Sequence, residues 1–270
     1  MRKTVLGVLA ALVVAAVANV LSTRPQPVEY AELLTLGERY DVRIIRDEFG
    51  VPHIYGTRDA DTAFGLAYAH AEDDFATIQE VVLATRGQLA AVRGSDAART
   101  DYLIRLMEVW EAVEAGYETE LSQEARDVAE AYADGINLYA ARHPDAVADY
   151  LLPVRGEDLI AGFTFKLPLF YGFDEALGSL FEGGQRALSR QGEDALQFSA
   201  NPQPEMGSQG VAIAPHKSAD GKTRLLINSH QPLTGPVAWY EARLHSQEGW
   251  DVAGATFPGS PVILHGHNRH

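Results

Sequence analysis

Ser208 stands between Gly207 and the run Gln209-Gly210-Val211-Ala212-Ile213-Ala214. A small residue, a serine and an apolar stretch read as a serine at the head of a β-strand. His230 closes the next extended run, in Ile227-Asn228-Ser229-His230-Gln231-Pro232. A cut between Gly207 and Ser208 would give Ser208 both a hydroxyl and a free α-amine, so that nucleophile and base lie in one residue. An α-amine titrates near about pH 8, which leaves an appreciable unprotonated fraction at neutral pH to take the hydroxyl proton. Before the cut the same nitrogen is an amide and cannot act as a base. Gly207 suits such a junction, because a small residue tolerates the strained backbone needed when the hydroxyl attacks the preceding carbonyl. His230 could orient the hydroxyl or meet the amine. The plainer readings are a turn serine near Gly207 and Gly210 and a structural histidine.

Other groupings are weaker. The serine-hydrolase elbow G-x-S-x-G would need glycine where Met206 stands, and it leads into a helix, whereas a strand is predicted after Ser208. A serine esterase of that type is therefore an alternative, as is an exported binding domain in which Ser208 is never cut. Asp220-Gly221-Lys222-Thr223 ends like a phosphate-binding loop, but His216 occupies the position of the required glycine, so it reads as a turn. His265, His267 and His270 have a spacing that could bind zinc, although no acidic residue lies near them in sequence. His70, Glu72, Asp73 and Asp74 could hold a structural calcium or act as an acid–base pair; a solvated helix face is the simpler reading. The chemistry centred on Ser208 requires no cofactor.

The elements that must position these groups follow from periodicity. Val42–Asp47 alternates as a strand, Glu48–Pro52 is a turn, and His53–Tyr55 resumes an extended run, giving a hairpin. From Asp59 the apolar residues Phe64, Ala67, Tyr68, Ala71, Phe75, Ile78 and Val82 recur at helical steps, with Asp59 or Asp61 as cap and Gly87 and Gly94 beyond the end. Residues 101–116 and 121–142 predict two further helices, and 157–171 and 173–190 two weaker ones. The stretch 191–207 is polar and contains Asn201-Pro202-Gln203-Pro204, as an exposed and cleavable linker would. After it the pattern turns to strands at Val211–Ala214, Thr223–Asn228, Val237–His245 and Trp250–Thr256. Helices in front and strands behind suggest an α+β or layered αββα arrangement. Four strands are few for a sheet core of their own, and the chain reads as stopping in mid-domain.

Composition narrows the partners. The 270 residues carry a formal charge of −15, which disfavours nucleic-acid phosphate. The chain contains no cysteine, which excludes disulfides and thiolate catalysis. Arg2 and Lys3 precede an apolar stretch from Val5 to Leu21 with an Ala16-Val17-Ala18 cleavage pattern. This predicts a signal peptide over 1–21 and a periplasmic or secreted protein with no stable membrane partner. The rival is an uncleaved anchor, since a spanning helix needs about 20 apolar residues.

Several segments together resemble the penicillin acylase family of N-terminal-nucleophile hydrolases. They are Val42–Ile54 (VRIIRDEFGVPHI), the helix Asp59–Gly94, the junction Gly207-Ser208, Thr223–Pro232 (TRLLINSHQP) and Phe257–Asn268 (FPGSPVILHGHN). The resemblance implies an αββα sandwich, incomplete here, built from an α-chain region at 22–190, a spacer at 191–207 and the start of a β-chain at 208–270. It implies autocleavage before Ser208, α- and β-chains from one precursor, and hydrolysis of a small acyl amide through an acyl-enzyme. Histidine at the position of His230 is similar to acyl-homoserine-lactone and cephalosporin acylases, whereas penicillin G acylases carry glutamine there. The segment His70–Phe75 likewise looks closer to the lactone-acylase branch. Asn228-Ser229-His230 departs from the family's N-P-H phrase. The family's oxyanion-hole amide and later asparagine are expected beyond His270. Loss of one oxyanion donor costs roughly 10²–10³ in rate, so the polypeptide is expected to be inactive by itself.

Overall fold

The computed structural model describes residues 28–169 and 208–269. The signal segment, the helix expected at 173–190, the linker with Gly207, and His270 lie outside the described residues. In chain order the elements are α1 (Tyr30–Leu34), β1 (Val42–Arg46), β2 (Pro52–Gly56), α2 (Asp59–Thr85), α3 (Leu89–Arg93), α4 (Ala98–Leu106), α5 (Val109–Glu120), α6 (Gln123–Arg142) and α7 (Gly156–Leu169). Then come β3 (Ser208–Ile213), β4 (Arg224–Ser229), β5 (Tyr240–Ser246), β6 (Asp251–Thr256) and β7 (His265–Asn268). The class is α+β.

The strands form two sheets. A five-stranded sheet runs β1-β2-β5-β6-β7, and β3 and β4 form a separate antiparallel pair. The large sheet joins the front hairpin to three strands that follow Ser208, through parallel pairing of β2 with β5; every other pairing in it is antiparallel. Strands β5, β6 and β7 therefore extend a sheet begun by Val42–Gly56, and β7 is a strand that residue alternation alone does not mark.

Helix α2 forms the spine because both of its flanks allow close approach. A Cβ on Gly65 would come within 2.7 Å of Val42 and Ile54, and one on Gly135 of α6 would lie 2.5 Å from the Phe64 carbonyl. Glycine thus brings α2 against the sheet on one side and against α6 on the other. Ile54, Leu66, Ile78, Tyr132, Ile136 and Leu244 fill the resulting core. Burial of side chains of this size contributes about 1.5–3 kcal/mol each before the ordering cost.

The start of α2 is capped as its acidic first turn predicts, but from the third position. Arg58 is the N-cap, and the Asp61 carboxylate accepts from its backbone N–H at 2.9 Å. Asp59 instead accepts from the Ser246 hydroxyl, which ties the helix to the β5–β6 turn. Within α2, Asp74 leaves helical geometry and its side chain accepts from Thr77 N–H, so the second half restarts on its own cap. The single helix expected at 101–116 is two, parted at Glu108 in the left-handed region (φ 51°). The break re-aims α5 so that Val109, Val113 and Tyr117 are buried.

Arg86, just past α2, is the polar hub of the helical layer. Its guanidinium makes a two-pronged contact with Asp158 at 2.6 and 2.7 Å and donates to the carbonyls of Tyr150, Leu151 and Pro153. Asn137 adds a buried reciprocal pair with the Val154 backbone, both bonds at 2.8 Å. These contacts fix the 150–155 segment and the start of α7.

Candidate active site

Ser208 heads β3 and lies opposite Ser229 at the end of β4. The pair runs in register from there to Ile213 opposite Arg224. The turn between them is held by Asp220, which binds Arg224 and the Ser218 hydroxyl. Those bonds depress the Asp220 carboxyl strongly, the Arg224 contact contributing most. The phosphate-loop look-alike is thus a polar hairpin turn with Gly221 at φ 70°.

The hairpin brings Ser208 and His230 to one end of the strand pair. Alternation then divides the side chains. Gln209 and Asn228 share one face, joined by an amide–amide hydrogen bond of 3.3 Å, and His230 Nε2 lies 3.4 Å from the same Asn228 nitrogen. Ser208 and Ser229 belong to the other face. Among the described residues Ser208 and His230 are neighbours along the pair without a hydrogen bond between them. Both are exposed.

Trp239 connects this end to the large sheet. Its indole N–H donates to Ser229 Oγ at 2.6 Å. Its ring stacks on Phe257 (centroids 4.1 Å apart) and meets His265 edge-on at 5.1 Å. Between the hairpin and the sheet lies a cleft of about 480 Å³, lined by Ile227, Asn228, Ser229, Trp239, Glu241 and His265 among others. Ala253, Gly254 and Ala255 of β6 also line it. His265 Nε2 is buried with no hydrogen-bond partner among the described residues. Trp239, Glu241 and His265 were not singled out in sequence as neighbours of Ser208. Only the register of β5 against β6 and of β6 against β7 places Glu241, Ala255 and His265 in one row.

The acidic cluster on α2 has structural work. Arg46 pairs with Glu72 and Asp73, and Asp73 also accepts from the Tyr240 hydroxyl. Tyr240 in turn stacks on buried His70, with ring centroids 3.8 Å apart. Burial, aided by the charge of Lys166, pushes the His70 pKa down to about 3. No group of three or more His, Asp or Glu among the described residues could hold a metal ion. His265 and His267 are alternate residues of β7. Among the described residues no helix is long and apolar enough to cross a membrane.

Comparison with known proteins matches residues 41–270 to the penicillin amidase family. The chain is 30% identical over 251 residues to acyl-homoserine lactone acylase PvdQ of Pseudomonas syringae pv. syringae (strain B728a), covering 84% of this chain and 32% of that protein. It is 26% identical over 276 residues to acyl-homoserine lactone acylase QuiP of Pseudomonas aeruginosa, covering 86% and 32%. A solved structure of thermostable penicillin G acylase from Alcaligenes faecalis aligns with a TM-score of 0.44 at 20% identity, over 57% of this chain and 85% of that one. The chain spans about a third of the length of these curated relatives.

Proposed function

The chain belongs to the penicillin amidase family, and from that premise we propose an exported N-terminal serine amidohydrolase. It cuts its own chain before Ser208, loses the spacer at 191–207 and works in the periplasm or outside the cell as α- and β-chains of one precursor. What supports this reading is the register of Ser208 opposite Ser229, a residue that lines the cleft, with His230 one position past Ser229.

The chemistry follows from those groups. Ser208 Oγ attacks the amide carbon while its proton passes to the freed α-amine, directly or through one water. The tetrahedral centre collapses, the C–N bond breaks and the departing amine takes that proton. Water then attacks the ester, the acid leaves and the Ser208 hydroxyl is restored. His230 stands on the Asn228 face, across the strand from Ser208 Oγ, so its proposed part is to meet the freed α-amine rather than the hydroxyl. No cofactor takes part.

The substrate is an acyl amide of the acyl-homoserine-lactone kind or a β-lactam side-chain amide. The relatives named as lactone acylases favour the first. The elbow-type esterase alternative is set aside, because the element that follows Ser208 is strand β3 rather than a helix. Ser208 is exposed here, and transition-state charge is best stabilised by fixed donors in a water-excluded site. We expect this polypeptide to be inactive by itself.

The test is intact mass and N-terminal sequencing of the protein purified from its native host. A polypeptide beginning Ser208-Gln209-Gly210 supports the reading. Ser208→Ala should abolish both the cut and amide hydrolysis; an active, uncut Ser208→Ala protein would sink the proposal.

A further inference from the structure

The hairpin that bears Ser208 is exposed except at Ser229, and a hydrogen bond ties it to the residue just before β5: Trp239 Nε1–H to Ser229 Oγ, at 2.6 Å. Ser229 is the register partner of Ser208, so the bond acts on the strand position directly across from the serine. The donor is itself fixed. The indole is sandwiched between a stacked Phe257 and an edge-on His265. Phe257 is buried and opens a tight turn in which Ser260 N–H donates back to the Phe257 carbonyl at 3.0 Å. That turn is anchored in the helical layer, where the Pro258 carbonyl accepts from the buried Lys166 ammonium. A continuous line of contacts thus runs from α7 through the 257–260 turn and Trp239 to the residue facing Ser208.

We propose that Trp239 is a positioning residue: its indole N–H sets where the Ser208 end of the hairpin lies relative to the large sheet. The proposal rests on the reading of Ser208 as the nucleophile. It assigns to Trp239 a role in geometry rather than in bulk stability, because the ring would keep its stacking on Phe257 without the N–H. Misplacing a reacting atom by about 1 Å costs roughly a hundredfold in rate.

The test uses the protein purified from its native host and two readouts. One is the rate at which phenylmethylsulfonyl fluoride labels Ser208, followed by intact mass. The other is the split of kcat and KM for hydrolysis of an acyl-homoserine lactone. Trp239→Phe removes the donor and keeps an aromatic ring to stack on Phe257; Ser229→Ala removes the acceptor; Ser229→Thr keeps a hydroxyl. Trp239→Phe and Ser229→Ala should each slow labelling and lower kcat by about ten- to a hundredfold with KM nearly unchanged. The double variant should be no slower than either single one, since both break the same bond. Ser229→Thr should recover most of the rate, and thermal midpoints should stay close to the parent. Parent-like labelling and kcat in both single variants would overturn the proposal while leaving Ser208 as nucleophile. So would additive losses that track a falling midpoint. Absence of label at Ser208 in the parent protein would instead overturn the nucleophile reading, and this proposal with it.

Discussion

The two sheets of this chain are opposites. In the five-stranded sheet, β5 alternates between buried and exposed residues, with Ala242 and Leu244 against the helices and Glu241, Arg243 and His245 outward. Antiparallel or mixed sheets with one covered face show this alternation. In the β3–β4 pair nearly every residue is exposed, and apolar residues are exposed on both faces. Leu225, Leu226 and Ile227 are 54%, 56% and 41% exposed although they succeed one another along the strand. Consecutive apolar residues are the signature of strands built for burial on both sides. One sheet thus carries the stability and the other the candidate chemistry. An isolated two-stranded hairpin is marginal in water, so the second sheet depends on what holds it to the first.

The sharpest way to break the comparison is to remove chemistry without touching structure. Ser208→Ala in the protein from its native host should lower amide hydrolysis by on the order of 10⁴-fold or more, as loss of a nucleophile does. The thermal midpoint should barely move, because Ser208 is exposed and makes no core contact. The converse removes structure far from the chemistry. Arg86→Met leaves Asp158 buried without its partner and strips three carbonyls of their donor. Breaking one side of a buried pair costs about 3–5 kcal/mol, which urea unfolding would show as a fall in the midpoint. A loss below about 1 kcal/mol would mean that the 150–155 segment is held by packing alone.

A third prediction concerns pH. Burial lowers the Lys166 pKa from 10.5 to about 7, and a carbonyl is its hydrogen-bond partner. Above the unfolded value the amine is neutral in both states and burial carries no ionisation penalty. As pH falls from 10.5 toward 7 the unfolded chain takes up a proton that the folded chain refuses, so stability declines. Below about 7 the penalty is constant. Lys166→Met should therefore gain on the parent as pH falls through this window and be more stable at pH 7, by on the order of 1–3 kcal/mol. Equal stability of the two proteins at pH 7 and pH 10 would mean that the ammonium finds compensation within the fold.

Much of this arrangement was readable from the chain, and the failures have physical causes. The Val42–Tyr55 hairpin, the long helix from Asp59 and the helix ending before Pro144 follow from local period and punctuation, and the structure has all three. The break at Glu108 was invisible, since the apolar period runs through it and only the backbone turns. The pairing of β2 with β5 was equally hidden, because Ile54 and Leu244 are 190 positions apart and nothing local links them. The site divides the same way. Ser208 and His230 announce themselves by residue type beside turn and strand signals. Trp239 and His265 do not, because their relation to Ser208 is set by register and by the stacking on Phe257.

The smallest expected effect separates the two sheets most cleanly. Leu244 is fully buried in the large sheet, and Leu244→Ala should cost about 2–5 kcal/mol through lost transfer energy and the cavity left behind. Leu226 belongs to the hairpin and is more than half exposed, so in this polypeptide Leu226→Ala should change stability by no more than about 0.5 kcal/mol. The same residue type in the same kind of element would then differ several-fold in effect, for no reason but what lies over it. Matched urea curves of the two variants decide the point. If Leu226→Ala proves as costly as Leu244→Ala, the hairpin is packed in solution, the division of labour between the sheets fails, and Ser208 already sits in a covered site.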